Sequence, residues 1–156
     1  MSVIRRFSPV NRLAALIHAP GGLKTGEAVE AAERNLESVR GEAMARLDAV
    51  IAELETLAAG GGGADIERMY SLSNEIVGVA GVFGYGPMGD AAYSLCELLD
   101  HLRTQGGWSA EGVVVHLQTL RLLRSAGGPG ADPKACAAIL EGLRKVSARL
   151  AKPQAV

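Results

Sequence analysis

Few side chains in this 156-residue sequence could do chemistry. There are three histidines, two cysteines and some neighbouring acids. An imidazole titrates near neutral pH and can serve as base, nucleophile or metal ligand. His18 sits just before Pro20, and His101 follows Asp100 near the end of a helical pattern, where a cation is favoured by the helix dipole. Both read as helix-end residues. His116 lies in VVVHLQTLRLL among apolar neighbours and reads as a helix histidine covered by packing and satisfied by a hydrogen bond. Cys96 and Cys136 fall inside apolar patterns and read as small buried hydrophobes. No spacing of Cys and His suits zinc, so no metal or cofactor is expected. Glu53/Glu55 and Glu97/Asp100 read as solvated helix faces. Ser71 and Ser73 read as a surface and a small packing residue, and no nucleophile elbow surrounds them. Arg103, Arg121 and Arg124 read as solubilising cations.

The elements that hold these residues are helical. Hydrophobic residues make up 48% of the chain but aromatics only 4%, beside 25 Ala and 20 Gly. That composition suits closely packed helices rather than a sheet. The clusters PGG at 20–22, GGGG at 60–63, GYGP at 84–87, GG at 106–107 and GGPG at 127–130 separate segments of helical period. None follows a strand or ends in GK[ST], so none is a phosphate loop.

A short helix is expected after Ser8 and Pro9, with Val10, Leu13, Leu16 and Ile17 on its stripe. A long amphipathic helix is expected from Thr25 to Ala59, its apolar face running through Val29, Ala32, Leu36, Val39, Ala43, Leu47, Val50, Leu54 and Leu57. A third helix runs from Asp65 to Phe83, with Ile66, Met69, Ser73, Ile76, Ala80 and Phe83 facing the core. A fourth starts at Pro87 or Met88 and ends near Thr104. Ala92, Leu95, Leu99 and Leu102 form its stripe, widened by Cys96 and Leu98. The fifth follows Ser109 as N-cap and buries Val113, His116, Leu117, Leu120 and Leu123, with Trp108 packing over the bundle end. The sixth opens at Asp132-Pro133 and carries Cys136, Ile139, Leu140, Leu143, Val146 and Leu150. The expected fold is all-α, an antiparallel four-helix bundle over 24–152. A segment 1–23 carries a short extra helix, and 153–156 form a tail.

A net charge of −1 gives no bulk attraction for nucleic acid or anionic lipid. Apolar runs fall short of a membrane span, and Pro9, Asn11 and Arg12 interrupt the leader-like start. A soluble, cytoplasmic, reduced protein is expected.

The segment YSLSNEIVGVAGVFGY at 70–85 is unusual. Gly78 and Gly81 stand in mid-helix, each costing about 1 kcal/mol against Ala. Helical spacing puts Tyr70, Asn74, Val77, Gly78 and Gly81 on one small, flat strip. Tight packing of two helices and docking of a partner both account for it.

Residues 70–98, YSLSNEIVGVAGVFGYGPMGDAAYSLCEL, resemble the central motif of histidine-phosphotransfer (Hpt) domains, most closely the alphaproteobacterial single-domain form. That motif reads His, any residue, an aliphatic, Lys, Gly, then small residues, followed by Phe-Gly-Tyr and Ser-Leu-Cys. Ile76, Gly78, Gly81, Phe83, Gly84, Tyr85, Ser94, Leu95 and Cys96 keep the order, and Gly86 is an extra residue before Pro87. PGGLKTGEAVEAAERNL resembles the family's opening helix, and HLQTLRLL and ILEGLRKV its last two.

The resemblance places the family's phosphoacceptor His at Asn74 and its Lys at Val77. In the family an imidazole nitrogen takes the phosphoryl group from a receiver aspartate. The lone pair of an Asn amide is delocalised, so Asn74 cannot replace it. Loss of the Lys removes a cation for the phosphate oxygens. Val77 is expected to be an exposed apolar group on the surviving docking face. The resemblance therefore implies a non-enzymatic signalling module that binds a response-regulator receiver or a histidine kinase through Tyr70, Asn74, Val77, Gly78 and Gly81 without carrying phosphate. It is expected to be a monomer, or else a homodimer paired around Val77. Two alternatives stand beside it. One is an active phosphotransfer protein using His116, and the other is a helical adaptor or oligomerisation module.

Overall fold

The computed structural model describes residues 24–61, 65–106 and 108–150, together with Gly21. The expected helix at Ser8–His18, with Val10, Leu13, Leu16 and Ile17, lies outside them, as does the tail. Five helices and no strand occur among the described residues. They are α1 (Thr25–Ala59), α2 (Ile66–Val82), α3 (Gly86–Gln105), α4 (Ala110–Ala126) and α5 (Pro133–Leu150). The chain divides into two compact units, one up to Val39 and one from Arg40 onward.

Local chemistry sets the helix ends. The Ser109 hydroxyl accepts the Gly112 N–H at 3.2 Å, and Glu111 adds favourable charge in the first turn of α4. The Asp132 carboxylate accepts the Lys134 N–H at 2.9 Å, with Pro133 opening α5. Gly106 closes α3 in the left-handed conformation (φ 69°), its N–H reaching the Leu102 carbonyl. The helix α3 starts at Gly86 and ends at Gln105, one residue beyond its sequence-based bounds at each end.

In the unit from Arg40 onward, one core gathers Leu47, Val50, Ile51 and Leu54 of α1, and Met69, Leu72, Ile76 and Ala80 of α2. To these α3 adds Met88, Leu95 and Leu99, α4 adds Val113, Leu120 and Leu123, and α5 adds Cys136 and Leu143. Both cysteines are buried, and Trp108 is half-buried against this core. The side chain of Leu150 lies outside the described set.

Ion pairs at the rim show how neighbouring helices run. Arg46 bonds Glu75 (2.6 and 2.8 Å), whereas Glu53, further along α1, pairs with Arg68, earlier on α2. The two helices therefore run in opposite directions. Glu55 pairs with Arg121, and Asp48 with the later Arg124, which sets α4 opposite to α1 as well. Arg103 of α3 bonds Glu67 of α2, and Ser94 of α3 bonds His116 of α4.

Two Gly/Pro clusters meet at one end of this unit. Tyr85 leaves no room for a side chain at Gly128, and Gly84 (φ 79°) lies against Pro129. Arg124 stacks over the Tyr85 ring at 5.5 Å, and Arg40 over Phe83 at 5.5 Å.

One stretch of the expected core is not core. In the first unit Val29, Leu36 and Val39 are 51%, 42% and 45% exposed, and Ala32 is exposed beside them. The stripe has the right helical phase, but no described element covers it.

Candidate functional site

The residues singled out in the sequence lie on α2, whose buried side is fixed by Met69, Leu72, Ser73, Ile76 and Ala80. On a helix with that face inward, positions 70, 74, 78 and 81 turn outward. Tyr70, Asn74, Gly78 and Gly81 are all exposed. Val77 departs from expectation: it is half-buried and packs against the core instead of standing free. Its phase, one residue before Gly78, rotates it toward the neighbouring helix.

Gly78 and Gly81 do not serve close packing within the fold. Among the described residues, a Cβ built at either position meets nothing within 4 Å. The close approach of α2 and α3 is made elsewhere, at Gly89, where an added Cβ would lie 3.7 Å from the Ala80 methyl and 4.0 Å from the Val77 carbonyl oxygen. Neither Gly78 nor Gly81 has a positive φ, so the backbone does not require glycine there. The strip is thus a patch of bare helix backbone open to solvent, bordered by the amide of Asn74 and the ring of Tyr70.

Two neighbours complete its surroundings. Beside Asn74, the Glu75 carboxylate is bound to Arg46, and the hydrogen bond from that guanidinium holds it below the usual carboxylate range. The Arg46 guanidinium makes two hydrogen bonds to this carboxylate, at 2.6 and 2.8 Å. On α3, Gly89 lies along Val77–Ala80, and the Cys96 thiol is 4.0 Å from the Tyr70 carbonyl oxygen. The stretch of α3 between them runs along the turn that bears Asn74, and it carries Tyr93, which is 58% exposed. Tyr93 lines a cleft with Leu140, Leu143 and Arg144 of α5, and it was not singled out in the sequence. Its signal was a large aromatic at a polar phase of an amphipathic helix.

The other candidates are structural. His116 is buried, with Nδ1 2.7 Å from the Gly112 carbonyl oxygen and Nε2 3.0 Å from the Ser94 hydroxyl. A carbonyl only accepts, so Nδ1 carries the proton, and Nε2 accepts from Ser94. Burial pulls the pKa of this imidazole below its ordinary 6.5, which keeps it neutral. With both nitrogens engaged inside the core, it offers no face to an incoming phosphoryl group. His101 is exposed near the end of α3, and His18 lies outside the described residues. The buried hydroxyl of Ser73 donates to the Met69 carbonyl (2.8 Å), while Ser71 is exposed. Burial pushes the Cys96 thiol up, away from thiolate reactivity. Arg121 and Arg124 are paired with Glu55 and Asp48.

An open cleft of about 390 Å³ at the Gly/Pro end is lined by Gly84, Pro87, Pro129, Cys136 and Leu140, with no carboxylate or imidazole in its wall. Among the described residues no group of three His, Cys, Asp or Glu is placed to hold a metal ion. Among them, no helix is long and apolar enough to cross a membrane.

No family model, no curated protein and no solved structure matches the chain.

Proposed function

We propose that this chain is an Hpt-like signalling module that has lost its acceptor, and that it binds a response-regulator receiver or a histidine kinase through the exposed strip of α2 without carrying phosphate. The observation that carries this reading is the state of Gly78 and Gly81. Both are open, unstrained and without a packing role, on the same face as the exposed Asn74. Bare backbone kept on a surface at a cost in helix stability is explained by something that comes close to it.

On this reading α1 from Arg40, α2, α3 and α4 form an antiparallel four-helix bundle, with α5 laid against it. Cross-links in cyclic order support that arrangement: Arg46–Glu75, Arg103–Glu67, Ser94–His116 and Glu55–Arg121 join each helix to the next and the last to the first. Asn74 then occupies the seat of the acceptor imidazole, with Tyr70, Gly78 and Gly81 forming the docking floor and Val77 its packed edge. The module sequesters its partner or biases its conformation.

The test is binding of the purified chain to a panel of receiver domains and histidine-kinase dimerisation domains. Wild type is compared with Asn74→Arg and Gly78→Arg. Both positions are exposed, so the fold tolerates the change, whereas Val77→Asp would confound binding with loss of packing. Binding by wild type that is lost in both variants supports the reading. Binding that both variants leave intact places the contact on another face, and no binding to any panel member leaves the helical adaptor as the reading.

A further inference from the structure

Serine and threonine hydroxyls inside a helix commonly turn back on their own backbone. Ser73, Thr104 and Thr119 do so here, each donating at 2.8 Å to the carbonyl oxygen four residues earlier. Ser94 of α3 does not. Its hydroxyl crosses to α4 and meets Nε2 of His116 at 3.0 Å. The other ring nitrogen, Nδ1, lies 2.7 Å from the Gly112 carbonyl oxygen. With the ring proton held there, the lone pair of Nε2 is aimed at the serine. A hydroxyl, a basic nitrogen within hydrogen-bond reach and a third group that orients the ring are the parts of an activated nucleophile. Burial keeps this imidazole neutral and so able to take a proton.

The pair reaches the surface through its serine. His116 is buried, but Ser94 is half-buried and lines an open cleft of about 290 Å³ between α3 and α5. Asp90, Tyr93 and Glu97 share the α3 wall with it, and Leu140, Leu143 and Arg144 form the α5 wall. These walls select a ligand. Asp90 and Glu97 repel an anion. Leu140 and Leu143 offer an apolar side to a short acyl chain. The Arg144 guanidinium favours the negative charge that develops on an ester carbonyl oxygen under attack.

We propose that Ser94 and His116 form a nucleophile–base pair that takes an acyl group from small neutral esters in the cleft between α3 and α5. This activity does not rest on the reading of α2 as a docking face, and His116 acts in it only through Ser94. The serine oxygen bonds to the ester carbonyl carbon while its proton passes to Nε2. The bond from that carbon to the alcohol oxygen then breaks, and the proton leaves with the alcohol. Water attacks the acyl-serine in the same way, which releases the acid and restores the hydroxyl.

The experiment is covalent labelling of the full chain with an alkyl fluorophosphonate. The serine oxygen bonds to phosphorus, fluoride leaves and the proton passes to Nε2. Peptide mass spectrometry reads the site and rate for wild type, Ser94→Ala and His116→Asn, with wild type unfolded in urea as the baseline. The proposal predicts label on Ser94 of the folded chain, about a hundredfold or more faster than in the unfolded chain, and a rate in His116→Asn lower by a similar factor. It also predicts hydrolysis of p-nitrophenyl acetate that is lost in Ser94→Ala. No label on Ser94, label at equal rates in the folded and unfolded chain, or label on Tyr93 alone overturns it. So does an unchanged rate in His116→Asn, or ester hydrolysis that Ser94→Ala leaves intact. If circular dichroism shows His116→Asn to be unfolded, the comparison of folded with unfolded wild type decides.

Discussion

Replacing Gly78 and Gly81 by alanine isolates the physical premise of the proposed interface. Both residues have helical dihedrals, and a methyl at either position meets no atom within 4 Å. The substitution therefore adds no clash and removes backbone freedom from the unfolded chain. Each change is worth about 0.5–1 kcal/mol, so the double variant is more stable by about 1–2 kcal/mol. For a chain of this size that raises the melting temperature by about 2–8 °C. Urea unfolding followed by circular dichroism measures it, with Gly127→Ala as the opposing case. There an added Cβ lies 2.6 Å from the Leu123 carbonyl oxygen, so the same substitution must lower stability. If the Gly78/Gly81 variant is no more stable than wild type, the glycines are needed by the fold itself and the inference of an outside partner collapses. If it is more stable and also loses receiver binding, stability and docking are in opposition at this strip.

The remaining predictions concern the interior and the chemistry. His116 is held neutral by burial, so the unfolded chain binds a proton as pH falls through about 6.5 while the folded chain does not. Stability present above that pH is lost below it, at up to about 1.4 kcal/mol per pH unit, and urea midpoints from pH 7.5 to 5.5 should fall more steeply for wild type than for His116→Asn. Equal slopes would show that the imidazole is accessible and charged in the fold. Glu55→Gln breaks an exposed ion pair with Arg121 and should cost less than about 1 kcal/mol, whereas Leu54→Ala beside it should cost about 2–5 kcal/mol in the same denaturation assay. On the proposed reading, the double variant Asn74→His with Val77→Lys should accept acid-labile phosphoryl label from a phosphorylated receiver, with none on wild type. Label on wild type would defeat the reading of Asn74, and the half-buried position 77 tolerates the lysine because its stem can lie along the core edge while the ammonium reaches water.

The fold was legible because its information is periodic. Ala-rich, Leu-rich stripes broken by Gly/Pro clusters place five helices within a residue or two, and Ser109 and Asp132 announce helix starts that their side chains do make. What the stripe does not encode is its partner. Leu36 and Leu54 have the same local pattern, yet among the described helices only Leu54 is enclosed, while Leu36 is 42% exposed. Val77 shows the same limit from the other side. Read as a replacement for a charged residue, it should be exposed, but its rotational phase brings it against the core. Tyr93 belongs to no motif, and only the fold shows it lining a cleft with Leu140, Leu143 and Arg144 of α5.

The two glycines of α2 gain most from being seen in three dimensions. Spacing alone gives a glycine strip two explanations, an internal helix contact or an external one. The atoms around positions 78 and 81 separate them, because an internal contact would put a neighbour within reach of a built Cβ, and none is there among the described residues. On the proposed reading, the residue at 74 then decides what an outside partner could do. An amide in place of an imidazole would leave a surface for recognition without a nitrogen that can accept phosphate. If that reading holds, recognition and chemistry would be carried by different atoms of one helix face, and the departures at 74 and 77 would remove the second while leaving the first.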